Sequence, residues 1–381
     1  MTRPLNLRAT ADYQALDAAH HWHPFTDTKA LNARGSRVIA RAEGVWLEDT
    51  DGNRLLDGMS GLWCCNLGYG REEIVEAVAR QMRELPYANT FFQQTHPPAA
   101  EFAAELAALA PAHVNRVFFA NSGSDANDTA FRLARVYWDA MGKPSKKAFI
   151  SRRNAYHGST VAAASFGGMG AMHAQSGLPI EGIHHVGQPY WFGEGRPEGL
   201  TPHDFGVLRA RELAAKIDEL GEEHVAAVIA EPIQGAGGVV IPPESYWPEL
   251  SRLLEGREVL LIADEVICGF GRTGTMWGST TYGLTPDLMT IAKGMTGGYL
   301  PAGGLMVSDR VAEPVIEHAG EVFHGYTWAA HPAACAAGLA TLRIMREERL
   351  VERVSETLAP KLAALWAGLA DHPLVGEART Q

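Results

Sequence analysis

Lys293 stands where a lysine is costly. In "DLMTIAKGMTGGYLPAGGLMVS" (Asp287–Ser308) it follows the apolar run "LMTIA" and precedes a glycine-rich turn, and between Arg272 and Asp309 the only other charge is Asp287. An ammonium is expensive to dehydrate, and desolvation or a positive neighbour lowers its pKa until some free amine can form a Schiff base. A snorkelling surface lysine is the alternative, but apolar residues before it and glycines after it argue against that. Asp264 closes another apolar run, "VLLIA" (Val259–Ala263). A carboxylate there needs compensation, which a helix cap, an internal salt bridge or a protonated heterocyclic nitrogen would each provide. A third candidate is Asn121-Ser122-Gly123-Ser124 in "FFANSGSDAND". Such small residues between a strand and a helix let N–H groups and hydroxyls approach an anion. In isolation they would read as an ordinary N-cap.

The elements that must position these residues follow from periodicity. Short β-rich runs recur: "RVFFA" (Arg116–Ala120), "KAFIS" (Lys147–Ser151), "GIHHV" (Gly182–Val186), "AAVIAE" (Ala226–Glu231), "VLLIADE" (Val259–Glu265), "LMTIA" (Leu288–Ala292) and "GGLMVS" (Gly303–Ser308). Several are apolar throughout, as strands buried on both faces are. Helical patterns lie between some of them, so an α/β/α layered domain with a mostly parallel sheet is expected. "GVWLEDTDGNRLLDG" (Gly44–Gly58) reads as a hairpin around "TDGN". With the helical run after His331 it is expected to form a second, smaller domain from both chain ends. The division expected is 1–70, 71–328 and 329–381. Ligands gather at the carboxyl ends of strands in open α/β sheets. One sheet edge should therefore collect the "NSGS" loop, the Tyr156–His157 pair, Glu231, Asp264 and Lys293. An amine nucleophile, an acid for a ring nitrogen and a phosphate loop together describe binding of pyridoxal 5'-phosphate.

Composition bounds the rest. At 381 residues the chain exceeds what one core readily fills, and 46% hydrophobic with 20% charged residues is ordinary for a globular protein. A net charge of −11 argues against nucleic acid or an anionic membrane as partner. The opening "MTRPLNLRATADYQ" lacks the apolar core of a signal peptide, and Cys64, Cys65, Cys268 and Cys335 form no CxxC pattern. A cytoplasmic protein with reduced thiols is expected.

Taken in order, "GMSGLWCCNLGYG", "FFANSGSDAND", "YHGST", "AEPIQGAGGVVIPP", "IADEVICGFGRTG", "IAKG" and "HGYTWAAHP" carry a resemblance. The chain resembles class III, fold type I pyridoxal-phosphate aminotransferases, most closely the ω-amino acid or amine:pyruvate branch. The resemblance runs from about His21 to the end. It implies a seven-stranded mixed sheet in a three-layer large domain, a smaller α+β domain, and a homodimer with shared active sites. It implies that Lys293 carries the cofactor and shuttles a proton, and that Asp264 pairs with the pyridine nitrogen. Val266 and Tyr156 would pack on opposite ring faces, with His157 beside them in the cofactor site, and Ser122, Gly123 and Ser124 would hold the phosphate. Thr327 would reach the phosphate of the partner subunit's site. Phe25, Trp63 and Phe91 or Phe92 of the partner subunit resemble the substrate-pocket walls. Glu231 matches an acid that pairs with a mobile arginine in relatives. The implied reaction is ping-pong transfer of an amino group from a primary amine or ω-amino acid to a keto acid such as pyruvate.

Some positions depart from the pattern. Asp125 stands where many relatives have Glu. Ile267 replaces the Gln of the 4-aminobutyrate branch, removing a partner for the ring oxygen. Ala330 stands where a glycine is common. Relatives continue past the position of Gln381 and carry the substrate-carboxylate arginine there, so a fragment or a truncated variant with exposed apolar surface is expected.

Three other readings compete with this one. "GFGRTG" (Gly269–Gly274) matches G-x-G-x-x-G of nicotinamide enzymes, but its glycines begin well after the strand and no amphipathic helix follows. The histidines of "HHWHPF" (His20–His23) and "IHHV" (His184, His185) suggest a metal, but no Cys or acid completes a set, so no metal is expected. The same constellation also serves aminomutases, racemases, decarboxylases and inactive cofactor binders.

Overall fold

Short apolar runs pair into a central seven-stranded sheet in the computed structural model, which describes residues 7–381. Residues 1–6, the start of the stretch read above for a leader, lie outside the described residues. A small antiparallel sheet comes first in the chain: β1 (Ile39–Glu43), β2 (Trp46–Asp49) and β3 (Arg54–Leu56). The last two strands are the hairpin expected over Gly44–Gly58, and Gly52 turns it at φ 82. β1 goes beyond the expectation, since "IARAE" contains a single large apolar residue to announce it.

The central strands are β4 (Val114–Ala120), β5 (Ala148–Arg152), β6 (Ile183–Val186), β7 (Val225–Ala230), β8 (Leu260–Asp264), β9 (Leu288–Ala292) and β10 (Gly303–Ser308). Their order is β4-β10-β9-β8-β7-β5-β6, parallel from β9 to β6. β10 runs antiparallel between β4 and β9, which makes the sheet mixed. Every residue of β7, β8, β9 and β10 is buried, which explains why these runs are apolar without alternation.

Three hydrophobic clusters cover the two sheet faces. Leu288, Ile262, Leu305 and Phe149 face the helix Gly123–Ala140 and its neighbour Asp309–His318. On the opposite face Met289, Ile291 and Met306 pack with the helices Pro97–Leu109 and Pro332–Glu347, while Ile150 and Val228 pack with Pro202–Leu220 and Tyr246–Leu254. The period of two along each strand thus sorts its side chains between two helical layers. The helix Pro332–Glu347 shares its cluster with β9 and β10. We therefore propose a domain boundary after this helix rather than at 329.

The chain then continues helically through Leu350–Arg353, a wider turn at Val354–Leu358 and Ala359–Ala367. No side chain of Ala359–Ala367 is buried, and Leu365 is 64% exposed. Among the described residues no helix is long and apolar enough to cross a membrane.

Candidate active site

Strand register brings the candidate residues to one edge. Gly303 of β10 pairs with both Ala120 and Ala292, so the carboxyl ends of β4 and β9 lie level with each other. A cavity of about 450 Å³ opens there, lined by Ser122, Gly123, Ser124, Tyr156, His157, Glu231, Asp264, Val266 and Lys293.

The helix Gly123–Ala140 begins at this cavity. Ser122 caps it, its Oγ accepting from the N–H of Asp125 at 3.2 Å, while Asp125 accepts from the N–H of Asn121 at 3.2 Å. The first N–H groups of a helix have no intrahelical acceptor, so those of Gly123 and Ser124 are left at the cavity wall for an anion. Gly123 must be glycine, because a Cβ there would meet the Val266 side chain at 2.9 Å. Gly158, at φ 137, lies against Ser124, whose Oγ accepts from the N–H of Ser159 at 3.0 Å.

Asp264, at the end of β8, is buried. Its Oδ2 accepts from His157 Nδ1 at 2.7 Å and from Asn127 Nδ2 at 3.0 Å, and its Oδ1 accepts from the N–H of Val266 at 3.1 Å. Burial alone would raise this pKa, but His157 and the other donors outweigh it and hold the carboxyl below its ordinary value. Oδ1 keeps capacity for one more donor. Asn127 also donates to the carbonyl of His157 at 2.7 Å, locking the pair. The sequence reading missed Asn127, although it lies one helical turn after Gly123 and so on the same face.

Lys293 follows β9 in a left-handed backbone conformation, φ 47, at the start of the turn Lys293–Thr296. Desolvation lowers its pKa, against the opposing pull of Asp264 and Glu231, and among the described residues its amine meets no hydrogen-bond acceptor. Glu231 is buried, and burial raises its pKa. Its oxygens accept from the N–H groups of Tyr156 at 3.1 Å and Gly235 at 2.8 Å. Ile267 also lines the cavity, so the position where a glutamine would offer a hydrogen bond presents an apolar wall.

The Aminotransferase class-III family profile matches residues 30–381. The chain belongs to the class III aminotransferases. This class III aminotransferase is 56% identical over 370 residues to the putrescine–pyruvate aminotransferase of Pseudomonas aeruginosa, covering 97% of this chain and 80% of that one. It is 43% identical to a diaminobutyrate–2-oxoglutarate transaminase of Halomonas elongata, covering 90% of this chain and 74% of that one. An (S)-enantioselective ω-transaminase structure from Thermomicrobium roseum superposes with a TM-score of 0.94 at 43% identity, over 99% of this chain and 83% of that one. The Pseudomonas jessenii ω-transaminase in complex with PMP superposes with a TM-score of 0.93 at 38% identity, over 96% and 81% respectively. The seven-stranded mixed sheet expected from the resemblance is thus the fold of the aminotransferase.

Other expected residues of the aminotransferase lie outside the cavity of their own chain. Phe25 is 76% exposed, with its ring centre 6.2 Å from that of Tyr156. Trp63 belongs to the segment Ser60–Trp63 beside the cavity, whose Leu62 and following Cys64 line the wall. Thr327 accepts from Tyr87 Oη at 2.8 Å through its carbonyl. Phe91 lies against Gly325, and Phe92 is 85% exposed. Ala330 has φ 55, so alanine occupies a glycine-like conformation there.

Two rival readings meet the structure differently. "GFGRTG" forms successive turns, with only the one-turn helix Gly278–Thr281 after it, so no dinucleotide helix is present. The expectation that no acid completes the "HHWHPF" set needs correction. Asp17 faces the same solvent edge, accepting from His21 Nδ1 at 2.9 Å and His23 Nε2 at 2.8 Å. Its place one helical turn before His21 hides this proximity from a reading of neighbouring residues.

Proposed function

We propose that this class III aminotransferase moves an amino group from a primary amine to a keto acid, using pyridoxal 5'-phosphate held in the cavity. One observation carries the reading: Lys293, Asp264 and the N-terminus of the helix Gly123–Ala140 all line one cavity at the carboxyl ends of the strands. The residues fit the group. Uncommitted N–H groups at Gly123 and Ser124 suit a phosphate. Spare acceptor capacity on Asp264 suits a protonated ring nitrogen, and Val266 and Tyr156 both line the cavity, where they would flank a flat ring.

When bound, the cofactor supplies an electrophilic carbon and a protonated ring that draws electrons from the amine's carbon. The protein's part is positional and electrostatic. Asp264 would keep the ring nitrogen protonated, since His157 and Asn127 hold its carboxylate ionised and oriented. Lys293, with its pKa lowered by desolvation, would take the proton from the donor's carbon at Nζ in one half-reaction and deliver a proton to the keto acid's carbon in the other. Tyr156 walls the outer side, its backbone fixed through Glu231.

We take putrescine and pyruvate as the first donor and acceptor to test, since a relative at 56% identity carries that pair in its name. An apolar Ile267 wall is compatible with the methylenes of such a diamine. We also propose a homodimer with shared sites, supported by Thr327, Phe91 and Phe92 lying away from their own chain's cavity. The test is alanine formation from pyruvate, dependent on putrescine, together with the visible absorbance of bound cofactor. Lys293→Ala is expected to lose both. Substantial alanine formation by Lys293→Ala would overturn the mechanism.

A further inference from the structure

Away from the cavity, one cluster of ligating side chains has no part in amino transfer. The helix Thr10–His20 ends at His21, whose N–H bonds to the carbonyl of Asp17 at 2.9 Å. The chain then turns back so that His23 reaches the same carboxylate. Asp17 Oδ1 lies 2.9 Å from both His21 Nδ1 and His23 Nε2, and Oδ2 lies 2.8 Å from His23 Nε2. The two imidazole centres are 4.1 Å apart, and one ligand atom from each residue falls within 4.8 Å of the others. Among the described residues this is the one group of three or more His, Cys, Asp or Glu side chains so arranged. The other adjacent pair, His184 and His185, sits on β6, and His185 is spent on the carbonyls of Phe166 and Gly167.

We propose that Asp17, His21 and His23 bind one first-row transition-metal ion, of which Zn²⁺ is the type. Two imidazoles and one carboxylate suit zinc, nickel, cobalt or copper and disfavour magnesium and calcium, which take oxygen ligands. Bonds of about 2.1 Å in a tetrahedron separate donor atoms by about 3.4 Å. The carboxylate–imidazole contacts therefore need to open by about half an ångström as the metal replaces the hydrogen bonds, and the imidazole nitrogens start within 4.8 Å of each other. His21 is 61% exposed in its side chain, which leaves solvent room for the fourth position. The ion would clip the segment after the helix, and two residues on, Phe25 approaches Tyr156 at the cavity rim. This site is independent of the proposed amine donor.

The test is a titration of the cofactor-loaded chain with Zn²⁺ in phosphate-free buffer, followed by calorimetry, with Co²⁺ absorption reporting the ligand geometry. The expected result is one ion per chain and a tetrahedral cobalt spectrum. Binding should be about tenfold weaker or more in His21→Ala and abolished in His21→Ala/His23→Ala. His21 is exposed enough for its single substitution to leave folding intact, and thermal melts check this for both variants. No stoichiometric binding to the wild-type chain, or equal binding by the double variant, would overturn the proposal.

Discussion

Lys146 and Lys293 are both withdrawn from solvent, but their amines meet different surroundings. Lys146 is 1% exposed, but its amine donates to the carbonyls of Glu222 at 2.6 Å and Val225 at 3.0 Å, donates also to that of Glu258, and lies 4.4 Å from the Trp138 ring centre. Burial lowers the pKa of both amines, but Lys293 has only the more distant pull of Asp264 and Glu231 in place of such hydrogen bonds among the described residues. A lowered lysine pKa means the folded apoprotein binds fewer protons than the unfolded chain. The penalty is full below the folded value and fades as pH rises toward the ordinary lysine range. Lys293→Met should therefore stabilise the cofactor-free protein by about 1–3 kcal/mol at neutral pH, while removing activity. Denaturant melts of both apoproteins check this, and a less stable variant would mean that the ammonium is already compensated. Asp264 has the opposite sign. Its folded pKa is depressed, so its contribution is present above the ordinary carboxylate range and is lost as pH falls through the folded value. His157→Ala leaves burial dominant, at a cost of about 2 kcal/mol for the lost charged hydrogen bond. The acidic limb of the pH–rate profile should then move to higher pH, and an unmoved limb would exclude His157 as the group that sets Asp264.

At the level of elements, the segment beside the cavity carries the most strain. Ser60, Gly61, Leu62 and Trp63 have φ of 51, 57, 63 and 63, a single left-handed turn. Each non-glycine residue costs about 1–2 kcal/mol in that conformation. Local bonds hold the turn: Gly61 N–H donates to Asp57 Oδ2 at 2.6 Å, Tyr69 Oη donates to the same atom at 2.7 Å, and Ser60 Oγ donates to the Cys65 carbonyl at 3.0 Å. The turn sets Leu62 and Cys64 into the cavity wall. A Cβ on Gly61 would meet Cys65 Sγ at 2.5 Å and Tyr69 Oη at 2.9 Å. Gly61→Ala should thus destabilise by about 2 kcal/mol and raise KM more than it lowers kcat, measured by melts and steady-state kinetics. Normal stability with unchanged KM would show that the turn gives way without affecting the wall. Nothing in "MSGLW" beyond one glycine announces this turn, since handedness is set by contacts to Asp57 and Tyr69. Asn127 was hidden for a related reason, because a polar residue inside a helix reads as surface until a buried acid is known to face it. The fully buried strands were legible because burial on both faces leaves only apolar residues to read. The cavity residues were legible because each stands directly after such a strand.

At the level of the whole molecule, the single chain leaves aromatic surface around Thr327: Phe92, Phe323 and Trp328 are 85%, 79% and 59% exposed. Large apolar side chains exposed in this way mark interfaces where they gather. If the proposed homodimer forms through this surface, the two chains contribute different parts to each site, Lys293 from one and Thr327 from the other. That arrangement makes a demand that a monomeric site does not. Thr327→Glu should repel the phosphate of the neighbouring site, and Lys293→Ala should lose the amine, so each homodimer is inactive. In a mixed dimer, one site receives both substituted residues and the other receives neither. Random reassortment of equal amounts makes about half of the dimers mixed, each with one intact site. Coexpression should therefore restore about a quarter of the wild-type turnover, with cofactor absorbance rising in proportion. An inactive mixture whose chains demonstrably exchange would mean that each site is built from one chain. Full activity in Thr327→Glu alone would remove Thr327 from the phosphate site altogether.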